Sequence, residues 1–125
     1  MWNGKIIVGG LHTPVGLDTI PDFVDHIVIG EGEISLLKLI EGSIQERIIH
    51  GEKVEDMDSL PFPALEELRG YDWKAPFAIS DTYPCYIMNT SRGCPFNRTF
   101  CTVKAIWGKT YRCMSAERVV FDIEK

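Results

Sequence analysis

"DHIVIGEGEISLLKLIEG", Asp25 to Gly42, decides the fold class. Ile27, Val28 and Ile29 form a short apolar, β-branched run, the mark of a buried strand. Gly30 ends it. "EISLLKLIEG" then changes period. Ile34 with Leu37, and Leu36 with Ile40, give a helical apolar stripe. Glu31 and Glu33 stand near the helix start, where the dipole favours acids, and Gly42 suits the position just past the last turn. A strand, a glycine turn and a helix in this order predict an α/β layer with a parallel sheet.

Upstream, "KIIVGG" repeats the signal: a β-branched run closed by Gly9 and Gly10. Ligands of such sheets gather at the carboxyl ends of the strands, where both glycine turns fall. "LHTPVGLDTIPDF" between them is loop-like. Downstream, "IQERIIHGEKVEDM" suggests a small hairpin turning at His50-Gly51-Glu52-Lys53. Pro61 and Pro63 stiffen a linker. "CYIMN" opens a second unit as an apolar strand from Cys85 to about Asn89. "SAERVVFDIEK" closes the chain as a helix, with Ser115 as N-cap and Val119, Val120 and Ile123 on one face. The expected organisation is residues 1–60, a linker over 61–82, and a second unit over 83–125. The first offers two convincing parallel strands and the second one strand and one helix. Units this small bury little surface alone.

Composition narrows the classes. The chain has 125 residues, 45% hydrophobic and 25% charged, with net charge −5. That balance permits a core and disfavours nonspecific nucleic-acid binding, which needs a basic surface. No apolar run approaches the roughly 18 residues of a membrane span, and "MWNGKIIVGG" is not a signal peptide. A cytoplasmic, reducing location is the default expectation. There Cys85, Cys94, Cys101 and Cys113 are free thiols or metal ligands sooner than disulfides.

"TSRGCPFNRTFC" carries the chemistry. Cys94 and Cys101 stand at the outer positions of a Cys-x-x-x-Cys-x-x-Cys loop, and Arg98 holds the middle place. Two thiols by themselves are either inert or ligands. Taken with "VGGLHTP", "DHIVIGEGE", the Leu-Pro-x-Pro linker and "GKTYRCMSAERVV", in that order, the loop resembles radical S-adenosylmethionine (SAM) enzymes that carry a cobalamin-binding domain.

The resemblance implies an α/β fold: the last strands of a Rossmann-like, parallel-sheet cobalamin unit, then the start of a partial (β/α) barrel. It implies three cofactors: a [4Fe–4S] cluster, SAM and cobalamin. In the family three thiolates hold three irons, the fourth iron chelates SAM, and one electron cleaves SAM to a 5′-deoxyadenosyl radical that abstracts hydrogen. Cobalamin-dependent members often transfer methyl groups. By the same resemblance Cys94 and Cys101 are cluster ligands, Phe100 lies near the SAM adenine, and Gly9 and Gly10 approach the cobalamin tail.

Arg98 departs from the pattern. A guanidinium stays protonated and has no lone pair for a metal. The family's Asp-x-His-x-x-Gly segment and the later barrel strands are not in the sequence, so the chain is expected to be a fragment, impaired as written. Several residues keep two readings. Glu31 and Glu33 are helix-dipole acids or line a cofactor edge. Arg92 is a solvated charge or holds a carboxylate. His12 is a loop histidine before it is a cobalt ligand. Trp73, Trp107, Tyr83 and Tyr86 read as packing residues. The competing functions are a non-catalytic remnant that binds nothing or pairs with a partner, and a small zinc module, although paired Cys-x-x-Cys spacings are lacking.

Overall fold

The computed structural model describes residues 4–64, 67 and 88–124. A three-stranded parallel sheet lies at its centre, in the order β1 (Ile7–Val8), β2 (His26–Ile29), β3 (Ile48–His50). Ile7 pairs with His26 and Val8 with Ile27. Ile27, Val28 and Ile29 pair with Ile48, Ile49 and His50. The middle strand is covered on both faces, as parallel sheets require: His26, Ile27 and Val28 are all buried. His26 is the polar exception. Its Nδ1 donates to the Glu46 carbonyl at 2.8 Å, and Lys5 Nζ lies 3.2 Å from its Nε2.

β3 corrects one expectation. No hairpin turns at His50-Gly51-Glu52-Lys53. The segment is the third parallel strand, reached from β2 through a helix, and the Gly51 amide continues the ladder by donating to the Ile29 carbonyl at 2.8 Å. Gly51 is present for closeness, not for a turn. A Cβ there would lie 1.9 Å from the Glu31 carbonyl oxygen, a use of glycine that looks the same in a sequence.

The helix α1 spans Glu33–Ile40. It ends as expected: Gly42 has φ 76°, Gly42 N–H donates to Leu39 O, and Ser43 N–H donates to Lys38 O, the paired bonds of a Schellman motif. Its buried face is not the expected stripe. Ser35 and Leu39 point inward, while Leu36, Leu37 and Ile40 are exposed. Ser35 is tolerated inside because its Oγ accepts the Glu52 N–H at 3.3 Å. Leu39 packs with Val28 and Ile49, and Ile44 lies against them.

The later residues form a two-residue antiparallel ladder, β4 (Ser91–Arg92) with β5 (Arg112–Cys113), and two helices, α2 (Val103–Trp107) and α3 (Ala116–Glu124). Met88 and Asn89, the described end of the expected Cys85–Asn89 strand, are not in a strand. Cys85, Trp73, Tyr83 and Tyr86 lie outside the described residues, as does most of the 61–82 linker. Ser115 caps α3: its Oγ accepts the Arg118 N–H at 3.1 Å. Asp58 joins the cap by accepting the Ser115 N–H at 2.9 Å. Val120 and Ile123, expected on a packed face, are exposed, and Val119 is half-buried. Phe121 meets Phe62 with ring centroids 5.0 Å apart.

Candidate cofactor site at the sheet edge and cysteine loop

β1 and β2 run side by side in one direction, so the turns after them open on one edge of the sheet. Gly10 (φ 95°) and Gly30 (φ 92°) both take the left-handed conformation that other residues resist. Gly9, beside them, leaves a Cβ position 3.7 Å from the Val28 carbonyl oxygen. The loop after β1 is tied down by Thr13, fully buried, whose hydroxyl lies 2.9 Å from the Val28 carbonyl and 3.0 Å from that of Gly10. His12 stays within this loop. Its Nε2 lies 2.7 Å from Thr19 Oγ1, and its ring fills the space beside Gly16.

Glu31 follows Gly30 and turns inward. It is 3% exposed. Arg112 forks it, Nη2 donating to Oε1 and Nη1 to Oε2. Oε2 also accepts Arg92 Nη1 at 2.9 Å and the Val54 N–H at 3.1 Å. Arg92 reaches Glu33 with its other terminal nitrogen and lies 5.0 Å from the Trp107 ring centroid. Burial pushes the Glu31 carboxyl up, but the bonds from Arg112, Val54 and Arg92 outweigh it and hold it below the usual range. Burial likewise lowers the Arg92 guanidinium, and its bonds to Glu33 and Glu31 more than restore it. The hydrogen bond to Glu31 holds Arg112 above its ordinary value. Thus Arg92 holds carboxylates, and Glu31 is more than a helix-dipole acid. A cleft of about 300 Å³ opens beside Arg92, with Glu33, Leu60, Pro61, Met88 and Met114 among its walls.

The cysteine loop leaves β4 through Gly93 (φ 84°), where a Cβ would lie 2.0 Å from the Thr110 carbonyl oxygen. Cys94 and Cys101 are half-buried, and Cys113 is exposed on β5. The Cys101 N–H donates to the Arg98 carbonyl at 3.3 Å. The Arg98 guanidinium is turned to the Phe96 ring, 5.9 Å from its centroid, and Phe100 is 80% exposed. Among the described residues, no three His, Cys, Asp or Glu side chains converge as a metal site. The loop itself therefore supplies two of the three thiolates of such a cluster, Cys94 and Cys101, and Arg98, which cannot ligate, stands at the third position.

Arg112, Val54 and Thr13 escaped the sequence reading. The signals for Arg112 are its place in the "GKTYRC" segment, which the resemblance includes, and its charge against the acids of "GEGE".

No protein-family model matches the chain, and no solved structure matches it. Curated proteins do. The chain is 29% identical to the hopanoid C-3 methylase of Methylococcus capsulatus, over 87% of the chain and 23% of that protein. It is 27% identical to the bacteriochlorophyllide d C-8(2)-methyltransferase of Chlorobaculum tepidum, over 96% of the chain and 27% of that protein. It is 26% identical to the anaerobic magnesium-protoporphyrin IX monomethyl ester cyclase of Cereibacter sphaeroides, over 98% of the chain and 23% of that protein. The chain thus spans about a quarter of the length of these relatives. No helix among the described residues is long and apolar enough to cross a membrane. The chain is thus similar along most of its length to two methyl-transferring enzymes and a cyclase, in line with the resemblance to radical SAM enzymes with a cobalamin-binding domain that its motifs carry.

Proposed function

We propose that the chain is part of a cobalamin-dependent radical SAM enzyme for methyl transfer or related carbon-radical chemistry on a small molecule, and that Arg98 impairs it as written. The observation that supports the first half is the collinear match to relatives named for methylation and for a cyclase reaction. In this reading the enzyme takes a [4Fe–4S] cluster, SAM and cobalamin. Cys94 and Cys101 are the remaining cluster ligands, Phe100 borders SAM, and Gly9 and Gly10 leave room for cobalamin. Because the loop's own thiols do not complete a cluster site, no chemical step is assigned to this chain's side chains. Arg98 also favours a second reading, a non-catalytic chain that has kept the scaffold.

Anaerobic reconstitution tests both. The native chain and Arg98→Cys are supplied with iron and sulfide, and iron per chain and visible absorbance are measured. Little cluster is expected in the native chain and clearly more in Arg98→Cys, since a third thiolate completes the set. A native chain that takes up a full cluster, unimproved by Arg98→Cys, would refute the impairment. Uptake by neither form would favour the non-catalytic reading.

A further inference from the structure

The cysteine segment, residues 93–111, is bracketed by the two arginines that share Glu31. Arg92 immediately precedes it and Arg112 immediately follows it, paired with each other across the β4–β5 ladder. That ladder is two residues long on each side. A pairing so short does not hold a segment in place alone. One carboxylate supplies what it lacks. Both oxygens of Glu31 are engaged, with Arg112 forked across them and Arg92 on Oε2. The Val54 N–H on the same oxygen ties the group to the chain beyond β3. A forked guanidinium–carboxylate contact fixes direction as well as distance. Within the segment, Trp107 lies over the Arg92 guanidinium, a third attachment to the same centre.

Burial of this group is costly. Apolar side chains of similar volume often replace a buried ion pair without loss of stability, so packing alone does not call for three ionised groups here. Orientation does.

We propose that Glu31 is the positioning residue of the cysteine segment: its carboxylate holds both roots of residues 93–111, through Arg92 and Arg112, and so sets how Cys94 and Cys101 are presented beside the carboxyl edge of the parallel sheet. This inference goes beyond the proposed enzyme activity and does not depend on a cluster being bound.

The test uses the full chain and its own thiols. Cys94 and Cys101 are labelled with a maleimide under reducing-agent-free, anaerobic conditions, with rates resolved by peptide mass, and amide hydrogen exchange of β2 and β3 is followed in parallel. Glu31→Gln should raise labelling at both thiols by about tenfold or more, because rates follow local opening. Glu33→Gln, which spares the Glu31 bonds, should leave them within about twofold. The variant carrying Glu31→Leu, Arg92→Met and Arg112→Met separates positioning from stability. It should keep the protection of β2 and β3 while both thiols react fast. Native labelling rates in that variant would overturn the proposal, since apolar packing would then position the segment equally well. Loss of β2 and β3 protection would also overturn it, because the group would then be a structural requirement of the sheet.

Discussion

Arg112, 7% exposed, donates from both terminal nitrogens to Glu31, 81 positions earlier in the chain. The same nitrogen, Nη1, also donates to the Val54 carbonyl, while Val54 N–H donates to Glu31. Three distant segments therefore converge on one carboxylate.

That convergence makes stability depend on acid. The Glu31 carboxyl is held below its ordinary value. Its contribution is complete above the unfolded value of about 4.3 and is lost as pH falls through the lower folded value. Urea midpoints should hold steady near neutrality and fall as pH drops below about 4. In Glu31→Ala, which leaves the buried Arg112 without its carboxylate while Arg92 keeps Glu33, a loss of about 3–5 kcal/mol near neutrality is expected. Glu31→Gln should flatten the acid limb of the midpoint curve. An unchanged acid limb in that variant would assign the dependence to other carboxyls.

Two glycines should differ sharply on substitution. Gly10→Ala meets open space and bears only the strain of its positive φ, about 1–2 kcal/mol. Gly51→Ala would press a methyl group into the backbone of Glu31 and should cost more than about 4 kcal/mol. Chemical denaturation of both variants checks the order. The reverse order would argue against β3 as a strand beside β2.

The start of α3 carries a smaller effect. Ser115→Ala removes the acceptor for the Arg118 N–H and should cost about 1 kcal/mol. Asp58 adds a second, pH-sensitive link. Its carboxyl is held below the usual range by the Ser115 side chain and N–H, with the nearby Arg118 cation contributing. Its contribution is lost as pH falls through the lower folded value. Asp58→Asn should remove that part of the pH dependence, read from the helical circular dichroism of α3.

The chain by itself should be sticky. Leu36, Leu37 and Ile40 on α1, and Val120, Phe121 and Ile123 on α3, are exposed, and among the described residues β1 and β3 are sheet edges. Exposed apolar faces and open edges promote association. Dye binding and concentration-dependent light scattering are expected. A sharp, reversible melt of a monomer with no dye binding would show these faces to be harmless.

The parts of this architecture legible in the sequence are those with local causes. β1 and β2 announce themselves as β-branched runs closed by glycines, α1 by its period and Gly42, and the start of α3 by Ser115. β3 was misread because its partner, β2, lies beyond a helix, and because Gly51 serves close approach while looking like a turn. The buried side of α1 was misread because Ser35 is polar, and its hydrogen bond to the Glu52 amide is made only in the folded chain. The cysteines and Arg98 could be placed from spacing. The pairing of Glu31 with Arg92 and Arg112 could not, since no periodicity links positions so far apart.

The antiparallel course of β4 and β5 has one more consequence. Residues 93–111 leave and rejoin the rest of the molecule at neighbouring positions, Arg92 opposite Arg112. Outside the Cys94–Cys101 spacing and the Trp107 contact, closure then sets little limit on the length of the excursion. Doubling a flexible loop adds only about 0.6 kcal/mol of closure entropy, and neither flanking strand has to move. Insertions and deletions between related chains should collect in this interval, and a stretch from one relative could be grafted onto another at these two arginines.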